Sequence, residues 1–325
     1  MSKKILLLAL CSLLLAPCFP TQAQPTKMPR IGHLSIVGAS ARIEAFRQGL
    51  RELGYTEGKN ISFEFRSAEG KLERLSTLAA DLVRLKVDLI VTAGAPSSRA
   101  AKGATVTIPI VMMQVGDPVG SGFVASLARP GGNITGLSAL APELSGKRLE
   151  LLKEVIPKLS RVAVFGTSAS PDNAQSLNEV ELAAKALGVR LQYLDVVVGS
   201  KDIETAFRAA TKGRAEAVLM MVAGSIVGAH QTQIFELAVK SRLPVIYTAR
   251  QAVEAGGLMT YGVNIEDLDR RAATYVDKIL KGAKPAELPV EQPIKFEFIV
   301  NLMTAKQIGL TIPPNVLVRA DRVIR

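Results

Sequence analysis

Short apolar runs alternate with amphipathic segments along the first half of the chain. Five runs predict strands, because they are short, bounded by turn residues and rich in Val, Ile, Leu, Met and Phe; they cover residues 31–34, 61–65, 88–92, 110–113 and 133–137. The segments 43–53 and 72–82 carry apolar residues at helical spacing. Strands and helices are therefore predicted to alternate from residue 31 onwards.

The same alternation restarts after Pro157. Predicted strands cover residues 161–165, 190–194, 217–221, 244–247 and 258–261, with helical stripes between most of them. A long helix is predicted from about Ile265 to Leu280. Strict alternation indicates parallel sheets with helices on both faces. Two runs of it predict an α/β protein of two doubly wound, Rossmann-like lobes that meet near residues 138–160.

The N-terminal segment is typical of a secretory signal. Lys3 and Lys4 precede an apolar run over residues 5–16, which is shorter than the roughly 20 residues of a membrane-spanning helix. Small residues follow, and cleavage is predicted after Ala23, so that residues 1–23 form the signal peptide. A membrane anchor and lipid attachment at Cys18 are the alternatives, although Pro17 is a poor neighbour for lipid attachment. The predicted location is the periplasm or another extracytoplasmic space.

Candidate chemistry for catalysis is sparse. Both cysteines, Cys11 and Cys18, lie in the predicted signal segment. The first strand is not followed by a glycine-rich dinucleotide motif, and neither a P-loop nor a G-x-S-x-G sequence is present. His33 falls inside a strand, which predicts a core or pocket-edge residue, and His230 falls at a helix start, which predicts a surface residue. The sequence therefore predicts no catalytic residue, no metal site and no cofactor; a secreted enzyme on the same scaffold is the alternative from another class.

The net charge of +11 is spread over predicted helical faces. Nucleic-acid-binding proteins usually concentrate basic residues in a patch or beside aromatic side chains. The charge therefore indicates a solvated basic surface and predicts no nucleic-acid partner. A positive field of this kind favours anionic ligands or membrane surfaces.

Three strand-to-helix turns are rich in small and hydroxyl residues: 94–98, 168–172 and 223–225. In open α/β sheets, ligands bind beyond the carboxyl ends of the strands, where helix N-termini present free N–H groups. Helix capping alone is an equal explanation for each turn. Their occurrence in both predicted lobes favours a shared cleft.

Several long strings resemble one family. They are AFRQGLRELGYTEGKNISFEF (45–65), GDPVGSGFVASLARPGGNITGLS (116–138), ELSGKRLELLKEVIP (143–157), EAGGLMTYG (254–262) and the run 270–314. They resemble the ABC transporter substrate-binding proteins often described as tryptophan/tyrosine-type. The resemblance implies the periplasmic-binding-protein type I fold, in which three crossovers join two lobes that close on a ligand by hinge bending. It implies neither catalysis nor a cofactor.

The resemblance also implies a set of ligand-binding residues. They are Ser35, Ser40, Ala95, Ser97, Ser98 and Asp117 on the first lobe, and Ser168, Ser170, Asp172, Ser225 and Tyr247 on the second. Many members carry Asn-Pro where this chain has Ser170-Pro171, and Asp-Pro where it has residues 223–225, which puts an ammonium contact in doubt. With no tryptophan in the sequence, Tyr247 and Tyr261 are the expected aromatic contacts, with core packing an equal alternative for Tyr261.

The expected organisation is residues 28–140 plus about 256–283 in lobe 1, and about 141–255 plus 284–325 in lobe 2. The expected function is that of a monomeric, extracytoplasmic solute-binding protein of an ABC importer. Its partners are a small-molecule ligand, a carboxylate or amino acid with aromatic ones included, and a membrane permease with its cytoplasmic ATPase. The alternative is the same clamp presenting its ligand to a membrane receptor as a sensor.

Overall fold

The structure is a computed structural model and describes residues 28–36, 38, 41–168, 173–196, 200–222, 227 and 230–325. Its strands are β1 Arg30–Ser35, β2 Ser62–Ser67, β3 Leu89–Ala93, β4 Ile110–Val115, β5 Ile134–Ser138, β6 Arg161–Gly166, β7 Arg190–Asp195, β8 Ala217–Met220, β9 Val245–Tyr247, β10 Met259–Val263, β11 Phe296–Asn301 and β12 Arg322–Ile324. Its α-helices are α1 Ala41–Glu52, α2 Leu75–Arg84, α3 Ala95–Ala104, α4 Ala141–Val155, α5 Asn173–Leu187, α6 Ser200–Lys212, α7 Gln231–Ser241, α8 Arg250–Glu254, α9 Ile265–Leu280, α10 Leu302–Ile308 and α11 Pro314–Leu317.

The first sheet is parallel and has the order β2-β1-β3-β4-β5. Helices α1 and α9 cover one face, where Phe46 and Leu50 pack with Leu268 and Ala272 over the strands. Helices α2 and α3 cover the other face with a second buried cluster. The sheet is thus apolar on both sides, as parallel sheets with crossover helices require.

The second sheet has the order β12-β11-β10-β9-β8-β6-β7. Its pairs are parallel except β10 with β11, which run antiparallel. Helices α4, α5, α10 and α11 cover one face, and α6, α7 and α8 cover the other. The two sheets form the two Rossmann-like lobes that the sequence pattern predicts.

The chain crosses between the lobes at three places. Strand β5 of the first sheet leads into α4 on the second, and β10 of the second sheet leads into α9 on the first. The last crossover begins after Glu291, which forms an isolated β-bridge with Leu137 of β5. It ends at β11 of the second sheet. Asn264 caps α9 at the second crossover, where its side-chain oxygen accepts from the Asp267 N–H at 2.8 Å.

The lobe boundaries differ from the predicted ones in two segments. Strand β10 lies in the range 256–283 expected in lobe 1, yet it pairs with β9 and β11 of the second sheet. Val290 lies in the range 284–325 expected in lobe 2, yet it is buried in the core of the first lobe beside Ile134. The difference arises because a strand's lobe is set by its hydrogen-bond partners, which local sequence does not reveal.

Candidate functional site

The turn between β3 and α3 holds a tight cluster of hydroxyls at the carboxyl edge of the first sheet. Gly94 has φ +82°, a left-handed conformation that favours glycine. Ser98 Oγ donates to the Gly94 carbonyl at 2.9 Å and lies 2.7 Å from Thr92 Oγ1. The Ser98 hydroxyl is therefore occupied in holding the turn.

Ser97 differs from its neighbour. Its side chain is fully buried in the first turn of α3, and its Oγ has no hydrogen-bond partner among the described residues. A buried hydroxyl left without a partner costs about 1–3 kcal/mol. The first N–H groups of a helix also lack partners within the helix. The Ser97 hydroxyl therefore has a hydrogen bond to gain from a bound molecule.

Asp117 shapes the turn that follows β4. Its Oδ1 accepts from the backbone N–H of Val119 at 3.1 Å and of Gly120 at 2.9 Å. This side-chain turn brings the backbone of Gly120 towards the second lobe. A Cβ added to Gly120 would lie 2.9 Å from Oε1 of Gln175, near the start of α5. The carboxyl edges of the two sheets therefore face each other, and they touch at this lip.

The facing edge of the second lobe is built from Thr167, Asn173 and Tyr193. The Thr167 N–H donates to Asn173 Oδ1 at 3.1 Å, and Asn173 Nδ2 donates to the Tyr193 hydroxyl at 3.0 Å. Burial is the main cause that raises the pKa of Tyr193. The Thr167 hydroxyl is buried and has no partner within the described part of the chain. Each lobe thus presents a buried, unpartnered hydroxyl close to a strand end, and the first lobe carries a second one on Ser121 in the turn after β4.

Ser168, predicted as a ligand contact, is bound to its own lobe. Its N–H donates to Asp195 Oδ1 at 2.9 Å and its Oγ donates to Asp195 Oδ2 at 2.7 Å. Ser35 is buried at the end of β1, and Ala95 is buried in the first-lobe core. Ser40, Ser170, Asp172 and Ser225 lie outside the described residues.

Tyr247 is buried in the core of the second lobe. Its ring is 1% exposed, belongs to the core between the second sheet and helices α6 to α8, and meets the Phe235 ring edge-on at 5.7 Å. Burial raises the pKa of its hydroxyl. In this arrangement the ring contributes core packing, and a ligand contact for it stays a prediction. Tyr261 is only partly buried and stacks at 6.2 Å on Phe296, near the second crossover.

Sequence reasoning missed Thr167, Asn173 and Tyr193 as members of the site. Asn173 starts α5, and an asparagine at a helix start is a recognisable signal. Thr167 and Tyr193 carry no such signal, because they become neighbours only through the pairing of β6 with β7.

Metal and membrane features are not seen in the described ranges. No cluster of three or more His, Cys, Asp or Glu side chains there could hold a metal ion. No helix in the same ranges is long and apolar enough to cross a membrane.

Two doubly wound lobes, joined by three crossovers and facing each other with their carboxyl strand edges, define a two-lobed solute-binding fold. The sequence matches the family of ABC transporter substrate binding proteins over residues 33–324, and the chain belongs to that family. The chain is 27% identical over 267 residues to the tyrosine-binding protein of Clostridioides difficile strain R20291, covering 82% of this chain and 76% of that protein.

Two solved structures of similar proteins extend the comparison. The ABC domain from Streptococcus pneumoniae in complex with L-Trp is 26% identical with a TM-score of 0.84, covering 91% of this chain and 99% of that one. The ligand-free, open structure of a substrate-binding protein with adhesive properties from Clostridium difficile is 25% identical with a TM-score of 0.68, again covering 91% and 99%. These relatives are substrate-binding proteins rather than enzymes.

Proposed function

We propose that this protein captures an aromatic amino acid in the cleft between its two lobes, outside the cytoplasmic membrane, and delivers it to the permease of an ABC importer. The observation that carries the proposal is the pair of buried, unpartnered hydroxyls, Ser97 and Thr167, on facing strand edges. A ligand between the lobes would supply both missing hydrogen bonds. The names of the relatives, which bind tyrosine and tryptophan, support the aromatic class.

Lobe closure supports the same proposal. The chain is about equally identical to the L-Trp complex and to the open, ligand-free structure, yet its TM-score is 0.84 to the first and 0.68 to the second. The lip contact between Gly120 and Gln175 belongs to such a closed arrangement. A ligand that binds the closed arrangement more tightly than the open one shifts the protein towards closure. The permease can then distinguish the closed, loaded protein from the open, empty one by its shape.

The direct test is a thermal-shift and calorimetric series with the purified protein. L-tyrosine, L-tryptophan and L-phenylalanine are expected to stabilise it, by about 2.7 kcal/mol at 100 times the dissociation constant. L-leucine and myo-inositol serve as the aliphatic and sugar controls. Ser97→Ala should weaken binding of the aromatic ligand roughly three- to tenfold, the cost of one hydrogen bond. Stabilisation by myo-inositol with none from the amino acids would replace the proposed ligand class.

Gly120→Ala tests whether the lip contact accompanies binding. The added methyl would collide with Asp117 Oδ2 in its own turn and lie 2.9 Å from Gln175 Oε1 of the other lobe, so both side chains must swing away before the lobes can approach as closely. Since overpacking costs about 1–3 kcal/mol, ligand affinity should fall roughly 5- to 100-fold. Calorimetry measures the affinity, and small-angle scattering measures whether ligand still makes the protein more compact.

Gly132→Ala is the matched control for this variant. An added Cβ there meets nothing within 4 Å, and its φ lies outside the left-handed region. Its affinity and ligand-induced compaction should equal those of the wild type. Wild-type affinity in Gly120→Ala would show that the lip stays apart when ligand binds.

A further inference from the structure

Arg148 is a buried cation that no carboxylate of the described residues pairs with. It lies on α4, its residue surface is 4% exposed, and Nε donates to the Tyr261 carbonyl at 2.7 Å. Among the described residues, no ion pair includes Arg148, and its guanidinium makes no hydrogen bond other than the one from Nε. A buried charge is costly unless it is paired, and the penalty reaches several kcal/mol per ion. The position therefore needs an explanation beyond packing.

The guanidinium joins two elements that flank the crossovers between the lobes. Helix α4 begins directly after the first crossover, and Tyr261 belongs to β10, which leads into the second crossover. Nη2 lies 3.9 Å from the place a Cβ on Gly262 would occupy, and the same place is 2.6 Å from the carbonyl oxygen of Thr248. Thr248 follows the last residue of β9. Arg148 thus sits at the carboxyl edge of the second sheet, where ligands of open α/β sheets bind.

The chemistry of the free donors identifies what they could bind. A guanidinium has five N–H donors in a planar fork, and only Nε–H is used here. The remaining fork, formed by Nη1 and Nη2, matches the two oxygens of a carboxylate and binds it with charge-assisted hydrogen bonds. Burial lowers the pKa of Arg148 to about 10, so the group stays charged at neutral pH.

We propose that Arg148 anchors the carboxylate of the ligand at the base of the cleft and so restricts the protein to anionic or zwitterionic ligands. This rests on the proposed function and sharpens it, because it places the recognition of the carboxylate on the second lobe. Ser97 on the first lobe then takes another polar group of the same molecule. The purely structural alternative is that Arg148 only ties α4 to β10 through the Tyr261 carbonyl.

Calorimetry with L-tyrosine and L-tyrosinamide separates these roles, since the amide has the same shape and lacks the anionic group. Arg148→Met should lower the affinity for L-tyrosine roughly 10- to 100-fold, the range for charge-assisted hydrogen bonds. The affinity for L-tyrosinamide should change by less than about threefold. Arg148→Lys should restore part of the affinity for the acid. Arg84→Met, which removes the same charge from an exposed side chain, should leave both affinities unchanged.

The outcome that overturns the proposal is an equal effect of Arg148→Met on both compounds, or none on L-tyrosine. Melting of the ligand-free variants identifies a structural role, because exchanging an unpaired buried charge for methionine should not lower the melting temperature. If the wild-type protein does not bind L-tyrosine, the result contradicts the proposed function rather than the role of Arg148. Sodium benzoate is then the probe: stabilisation of the wild type that disappears in Arg148→Met supports the anchor, and any other result overturns it.

Discussion

Gly49→Ala is expected to destabilise the protein by about 3 kcal/mol, at the upper end of the cost of overpacking a core. Gly49 lies where α1 crosses α9, and an added Cβ would stand 2.3 Å from the Arg270 carbonyl oxygen and 2.9 Å from Ala273 Cβ. The first contact is with backbone, so no side chain can rotate away. The two helices must move apart, and Phe46 and Leu268 in the cluster beneath them lose packing. Urea unfolding, followed by circular dichroism, measures the change.

Gly103→Ala is the matched control in another helix. It lies in the last turn of α3, and an added Cβ meets nothing within 4 Å. Because alanine is a better helix former than glycine, this variant should gain up to about 1 kcal/mol. Opposite signs for the same substitution would show that contact geometry decides the outcome. Unchanged unfolding of Gly49→Ala would mean that α1 and α9 are not as close in solution.

Acidification from pH 6.5 to about 4 is expected to cost the protein about 3 kcal/mol through His33 alone. Burial, together with the smaller effect of the positive charge of Arg47 on α1, lowers the pKa of His33 to about 4. Above pH 6.5 the residue is neutral in both the folded and unfolded chain, so it contributes nothing. Below that, the unfolded chain takes up a proton that the folded one resists, and each pH unit costs about 1.4 kcal/mol. The loss levels off below about pH 4, where the folded chain takes up the proton as well.

His33→Phe isolates this contribution from the carboxylates that titrate in the same range. The His33 ring lies 5.6 Å from the Phe65 ring, and its Nδ1 has no hydrogen-bond partner among the described residues, so an apolar ring suits the site. The variant should lose about 3 kcal/mol less than the wild type between pH 6.5 and 4. Parallel profiles for wild type and His33→Phe would show that His33 reaches solvent in the folded state.

The positions of many helices and strands could be predicted from the sequence. The helix predicted from Ile265 to Leu280 has those bounds in the structure, and the strand predicted over 31–34 became β1. Prediction succeeded there because a period of 3.6 or a short buried run is a local property. Strands β11 and β12 were not identified from the pattern. β11 joins the sheet through an antiparallel pairing with β10, a contact across more than thirty residues of chain.

The site was accessible only in part. The turn 94–98 was predicted because a Gly-x-Pro-Ser-Ser sequence after a buried strand marks a helix start. The sequence does not predict on which face of the second sheet the Tyr247 side chain lies. Both faces are buried, so an apolar run looks the same whichever face its side chains occupy. Arg148 was not predicted either, since it stands in a helix quoted only for its resemblance.

By itself, the sequence determined the alternation of strands and helices, the division into two lobes, the family and the turns that bear hydroxyls, because each follows from short-range pattern or from long matching strings. The tertiary structure alone decided which hydroxyls of the described residues lack partners, that the Gly120 turn comes close to Gln175, and that a buried guanidinium lies at the carboxyl edge of the second sheet. These features depend on distances between elements far apart in the chain. Such distances are set by sheet order and helix packing, which no local pattern encodes.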